Sequence, residues 1–220
     1  MTRKVRGRPM RIDRLRGLYA VTPDEPDTTR LCAMVGAAID GGATAVQYRN
    51  KAAALELRRE QARALAKLCR QRGALFIVND DGALANEVDA DGVHLGEDDG
   101  AIAQARSQMK EGRVVGVSCY DDLARARALA RDGADYVAFG SFFPSRVKPD
   151  ARHADVSLIR AAKSLGVPVV AIGGVTAANA PLLVDAGIDA VAVISDVFAH
   201  EDLADITRAA ALVASCFESS

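Results

Sequence analysis

Apolar runs of strand length alternate with longer amphipathic stretches from one end of the chain to the other. The runs span residues 17–22, 43–49, 75–80, 92–96, 114–119, 136–142, 168–174 and 190–195. Between them lie helix-length segments rich in Ala, Leu and Arg, such as 55–72, 121–132 and 156–165. Strands that alternate with helices predict βαβ units and a parallel sheet. Eight such units in about 200 residues predict the α/β class and a single closed (β/α)8 TIM barrel. A doubly wound open sheet is the structural alternative.

An internal echo supports closure. The entries to the even-numbered runs are Gly42-Ala43-Thr44-Ala45-Val46, Asp89-Ala90-Asp91-Gly92-Val93, Gly133-Ala134-Asp135-Tyr136-Val137 and Gly187-Ile188-Asp189-Ala190-Val191. Successive third positions are 47, 44 and 54 residues apart, which fits two βα units per repeat. Glycine at three of the four entries fits a left-handed turn at a helix C-terminus. The echo reads as a repeat of the fold, with no function of its own.

Length and charge refine this picture. The 220 residues suit one barrel better than two domains, and a 50% hydrophobic content supplies a large core. Scarce aromatics, no Trp and abundant Ala and Val suit helices packed closely on buried parallel strands. The net charge of −1 conceals an asymmetry. Residues 1–16 carry seven Lys or Arg against Asp13 alone, so the remaining residues hold 21 basic and 28 acidic side chains, or −7. An acidic body argues against nucleic-acid binding. Residues 1–16 are expected to be a basic, disordered tail, and 17–220 the catalytic barrel. With no apolar run of membrane-spanning length and no secretory signal, a cytoplasmic protein is expected, with no membrane partner. Cys32, Cys69, Cys119 and Cys216 show no metal spacing and suit reduced thiols; Cys119, at a strand end, suits a small buried hydrophobe.

In a barrel, chemistry collects at the C-terminal ends of the strands. Run two ends in Gln47-Tyr48-Arg49-Asn50-Lys51. Alternation puts Gln47 and Arg49 on one face, with Lys51 continuing it, a set suited to an anionic group. Runs three and four end in Asn79-Asp80-Asp81 and His94-Leu95-Gly96-Glu97-Asp98-Asp99. Carboxylates after adjacent strands can share Mg2+, which needs one or two of them plus substrate phosphates. Asp80 and Asp99 are the candidates, although spacing leaves Asp98 open; for Asp81 a helix N-cap is expected. His94 suits a hydrogen-bonded strand histidine. After run six, the loop from Gly140 to Pro149 carries Arg146 and Lys148 and could close over a phosphate. Runs seven and eight end in Ile172-Gly173-Gly174 and Val193-Ile194-Ser195, where barrels commonly bind phosphate through backbone N–H groups. A charged, metal-assisted anion site and a neutral backbone nest fit a diphosphate and a monophosphate.

With those motifs in this order, the chain resembles the thiamine-phosphate synthase family from about Gly17 to Phe198. The matching motifs are Gln47-x-Arg49-x-Lys51, Asn79-Asp80-Asp81, Gly92-Val93-His94-Leu95-Gly96, Gly116-Val117-Ser118, Phe143-Pro144-Ser145-x-x-Lys148, Ile172-Gly173-Gly174 and Val193-Ile194-Ser195. The resemblance implies that Gln47 hydrogen-bonds an aminopyrimidine and that Ser118 lies near it. It implies that Arg49, Lys51, Asn79 and Lys148 hold a diphosphate, with Ser145 in the same loop. Asp80 and Asp99 would bind Mg2+, and Gly174, Ile194 and Ser195 would cradle a thiazole phosphate. Arg49, Lys51, Ser118 and Lys148 are the implied catalytic set. The implied partners are these two small-molecule substrates; a homo-oligomer is left open. One departure is Val147, where the family usually has a hydroxyl residue; activity is expected to survive it. The related thiazole tautomerases lack the full Gln-x-Arg-x-Lys set and look for His where this chain has Tyr120. A non-catalytic thiamine-phosphate sensor is the rival from another class.

Overall fold

The computed structural model describes residues 12–96, 102–144 and 154–218. The eight apolar runs become eight parallel strands: β1 (Gly17–Val21), β2 (Ala43–Tyr48), β3 (Leu75–Asn79), β4 (Gly92–Leu95), β5 (Val114–Tyr120), β6 (Tyr136–Phe139), β7 (Val169–Ile172) and β8 (Ala190–Val193). They pair in sequence order, and β1 pairs with β8, so the sheet closes. The open-sheet alternative is excluded. Around the strands run α1 (Thr28–Asp40), α2 (Leu55–Arg72), α3 (Gly82–Glu87), α4 (Ile102–Gln108), α5 (Leu123–Arg131), α6 (Ser157–Ala162), α7 (Ala180–Asp185), α8 (Ser195–Phe198) and α9 (Leu203–Ser215). Every run except the fifth extends past its strand, most of them by a single residue. β6 stops at Phe139, and β8 stops at Val193 because Ser195 already opens α8.

Parity along each strand separates two cores. Leu18, Val46, Phe76, Val93, Val115, Val137, Val169 and Val191 face outward onto the helices. Tyr19, Val21, Ala45, Leu75, Ile77, Val114, Tyr136, Ala138, Val170, Ala190 and Ala192 fill the barrel interior. Alanines on β2, β6 and β8 leave the volume that the two tyrosine rings occupy, as close packing requires.

The tail boundary is corrected here. Ile12 and Leu15 are fully buried in the interior cluster, with a 3-10 turn over Ile12–Arg14. They enter just ahead of β1 and plug the N-terminal end of the barrel; each withdraws a side chain worth about 1.5–3 kcal/mol from water. Periodicity missed them because basic residues surround them in sequence. Residues 1–11 lie outside the described residues.

The fourfold echo is a set of struts at that same end. Asp91, Asp135 and Asp189 each accept an N–H from the first or second residue of the preceding odd-numbered strand: Phe76 (2.9 Å), Val115 (2.7 Å) and Val169 (2.8 Å). Thr44 occupies the fourth place and donates to carbonyl oxygens of Arg16 and Leu18. The residue two before each is left-handed: Gly42, Gly133 and Gly187 (φ 101°, 103° and 90°), and Asp89 where glycine is missing (φ 57°).

Candidate active site

At the opposite end, the strand termini bring together Arg49, Lys51 and Asp80. Arg49 follows β2 directly, and Thr22 clamps its backbone from both sides. The Thr22 hydroxyl accepts the Arg49 N–H (2.8 Å) and donates to the Arg49 carbonyl (2.9 Å). The guanidinium lies 3.8 Å from the Asp24 carboxylate, which also accepts the Lys51 N–H. Lys51 reaches across to Asp80 at 3.4 Å, joining the ends of β2 and β3. Behind this loop, Gln61 is fully buried on α2 and takes hydrogen bonds from Tyr48 and Asn50, while both amides hold the Glu25 carbonyl. The loop carrying Arg49 and Lys51 is thus tied to a rigid helix.

Asp80 and Tyr120 both sit in the left-handed region (φ 64° and 54°) at the ends of β3 and β5. For a bulky residue such as Tyr120 this is an unusual conformation, of the kind that concentrates at functional sites. Asp81, as expected, caps α3 by accepting the Leu84 N–H at 2.8 Å. Asn79 stands in register with His94 on the neighbouring strand. A cavity of about 270 Å³ opens against Asp80, Asp81, Leu95 and Gln108.

Beneath the charged rim runs a polar chain. Gln47 Nε2 donates to the Tyr19 hydroxyl at 3.0 Å, Tyr19 meets the Tyr136 hydroxyl at 3.0 Å, and Tyr136 meets His94 Nδ1 at 2.9 Å. His94 Nε2 then reaches Ser118 Oγ at 2.9 Å. Two expected site residues, Gln47 and Ser118, are therefore the ends of one connected system, and His94 is the expected hydrogen-bonded strand histidine. Tyr19, Tyr136, Thr22, Asp24 and Gln61 were missed by sequence reasoning. For the tyrosines a signal existed: each shares the inward parity of Val21 or Ala138 and carries a polar tip into an apolar interior.

On the far side of the mouth, Gly173 and Gly174 are left-handed (φ 98° and 64°). A Cβ on Gly174 would stand 2.4 Å from the Pro144 carbonyl oxygen, so the loop after β7 packs directly on the loop after β6. Asn179 secures it by donating to the Gly174 carbonyl, and the α8 carboxylate of Asp196 accepts the Ala177 N–H. Ile194 follows β8, and Ser195 begins α8, whose leading N–H groups have no carbonyl within the helix.

Asp98, Asp99, Ser145, Arg146, Val147 and Lys148 lie outside the described residues. Among those described, no three of His, Cys, Asp and Glu gather as a metal cage. Cys119 is buried, and burial pushes its thiol up to about 12, as befits an inert hydrophobe. The four cysteines are free thiols.

A closed (β/α)8 barrel with basic and acidic side chains facing each other across strand ends is the architecture of an enzyme for small anionic substrates. Comparison with known proteins makes this specific. The family model described as thiamine monophosphate synthase matches residues 18–197. A thiamine-phosphate synthase of Chromobacterium violaceum is 54% identical over 198 residues, covering 90% of this chain and 96% of that protein. One from Thiobacillus denitrificans is 54% identical over 196 residues, covering 89% and 92%. The solved thiamine phosphate pyrophosphorylase of Pyrococcus furiosus superposes with a TM-score of 0.83 at 35% identity, covering 94% of this chain and 98% of that one. The chain belongs to the thiamine monophosphate synthase family.

Proposed function

We propose that this protein is a transferase of thiamine biosynthesis that joins hydroxymethylpyrimidine diphosphate to thiazole phosphate, releasing pyrophosphate. The observation that carries the reading is the convergence of Arg49, Lys51 and Asp80 at one rim, with Gln47 two residues before Arg49 and linked through hydrogen bonds to Ser118. In the reaction, the bond between the pyrimidine methylene and the diphosphate oxygen breaks, and pyrophosphate keeps the electron pair. The ring amino group stabilises the resulting cation, and the thiazole nitrogen lone pair forms the new C–N bond. No strong base is needed. The protein's task is to hold two substrates in line and offset a departing polyanion.

Arg49 and Lys51 bind the diphosphate, joined by Asn79, Ser145 and Lys148. Their present partners, Asp24 and Asp80, hold them at 3.8 and 3.4 Å, which prepositions them for exchange onto phosphate. Gln47 and Ser118 face the pyrimidine. Gly174, Ile194 and Ser195 hold the thiazole phosphate through backbone N–H groups.

The residues at the rim suit Mg2+. Asp80 offers a hard carboxylate beside the diphosphate ligands, Asp99 is its proposed companion, and Mg2+ takes few protein ligands when phosphates supply the rest. When bound, the ion neutralises diphosphate charge. No described helix is long and apolar enough to cross a membrane. With an acidic body, this fits a cytoplasmic enzyme that binds no nucleic acid.

The test is to mix purified protein with both substrates and Mg2+ and follow thiamine phosphate by chromatography, with an EDTA control. Metal-dependent product is expected. No product despite binding of both substrates would point to a sensor, and failure to bind the diphosphate would point to a tautomerase.

A further inference from the structure

The condensation described above uses the two ends of the buried polar chain and leaves its middle, Tyr19, Tyr136 and His94, without a task. These residues come from β1, β6 and β4, and the ends from β2 and β5. The packing is specific. Tyr136 lies face to face with His94 (5.5 Å, 22°) and edge-on to Tyr19 (6.2 Å, 76°). Its ring crosses β5 where Gly116 has no Cβ; one there would stand 1.9 Å from the Tyr136 ring.

The chain has a direction. Burial raises the pKa of both tyrosines, so each keeps one proton to donate. Gln47 donates into the chain through Nε2. Tyr19 must then donate to Tyr136, and Tyr136 to Nδ1 of His94. His94 is left with its proton on Nε2, which donates to Ser118 Oγ. At one end Gln47 keeps Oε1, an acceptor; at the other Ser118 keeps its own O–H, a donor. The reverse sense would exchange both.

We propose that Tyr19, Tyr136 and His94 are positioning residues that lock the hydrogen-bonding polarity of the mouth, holding His94 as the Nε2–H tautomer, Gln47 as an acceptor and Ser118 as a donor. An acceptor and a donor held apart by one relay complement a heteroaromatic ring that carries an exocyclic amino group next to a ring nitrogen. The ligand half of this statement rests on the pyrimidine reading above; the tautomer half stands on the protein alone.

The decisive experiment therefore has two readouts. In full-length protein labelled with 15N-histidine, the neutral ring of His94 should appear as the Nε2–H tautomer. His94→Gln serves to assign the resonance. In Tyr136→Phe, which keeps the stacked ring and loses the hydroxyl, the tautomers should mix. KM for hydroxymethylpyrimidine diphosphate should rise about tenfold, the worth of one hydrogen bond, and KM for thiazole phosphate should stay within about twofold. Tyr19→Phe should repeat the kinetic pattern and carries the test if Tyr136→Phe does not fold. An Nδ1–H tautomer in the unaltered protein would overturn the proposal, as would unchanged KM values in the folded variants. Absence of thiamine phosphate with unaltered protein would count against the function instead, and the tautomer would still decide the relay.

Discussion

At the N-terminal end of the strands, acidic side chains serve backbone. Asp91, Asp135 and Asp189 each hold a strand N–H at 2.7–2.9 Å, and Asp135 and Asp189 are paired further with Arg106 and Lys163. At the C-terminal end, acids serve side-chain cations: Asp24 holds Arg49 at 3.8 Å and Asp80 holds Lys51 at 3.4 Å, both partly exposed. The chemistry is the same and the consequence opposite. A largely buried carboxylate on a peptide N–H is hard to replace, and losing it strands a donor at about 1–3 kcal/mol. A long, solvated ion pair is worth about 0–1 kcal/mol, so an incoming phosphate can replace it at little cost. One end is built to stay and the other to exchange.

That contrast can be broken from either end. The largest effect expected is at the rim. Arg49→Ala should lower kcat/KM about 10²–10³-fold, with thermal unfolding within a few degrees of the parent. Full activity would refute the diphosphate assignment. The plug should behave in the opposite way. Leu15→Ala should cost about 3 kcal/mol in urea unfolding while kcat at 25 °C is retained. A negligible stability change would return residues 12–16 to the tail. Asp135→Ala sharpens the strut argument: about 2 kcal/mol of stability lost, activity per folded molecule unchanged.

Two smaller effects complete the series. Asp80→Ala should raise the Mg2+ concentration for half-maximal turnover about tenfold or more; an unaltered metal titration would remove Asp80 from the metal site. At the opposite end, Asp89 is surrounded by Lys110, Arg113 and Arg70, and its hydrogen bond to Lys110 leads the causes that hold its carboxyl below the usual carboxylate range. A lowered folded-state pKa stabilises above the unfolded value and is lost as pH falls through the folded one. Asp89→Asn, which tolerates the left-handed backbone, should therefore destabilise slightly at pH 7, by less than about 0.5 kcal/mol. The difference between the two proteins should disappear in acid; a gap that persists there would show that the charge is not its source.

How much of this was legible beforehand follows from the kind of interaction involved. The eight strands were legible because burial on both faces writes continuous apolar runs, and their ends located Gln47, Arg49, Lys51 and Asp80 at the mouth. Strand parity placed Gln47 and Arg49 together. The struts were visible as a repeat, although their purpose was not, because the N–H that each Asp accepts belongs to another unit 15 to 20 residues away. Ile12 and Leu15 were hidden among basic residues because a plug has no strand period.

The sequence by itself determined the alternation of strands and helices and the family to which the chain belongs, since each depends on local pattern or ordered motifs; closure was settled by the pairing of β1 with β8. The tertiary structure alone decided which polar groups meet. The hydrogen bonds from Gln47 to Ser118 span five strands, and the longest link, Tyr19 to Tyr136, joins residues 117 positions apart. Such a chain exists because barrel closure points these side chains into one small interior, where a polar group must find another or remain uncompensated.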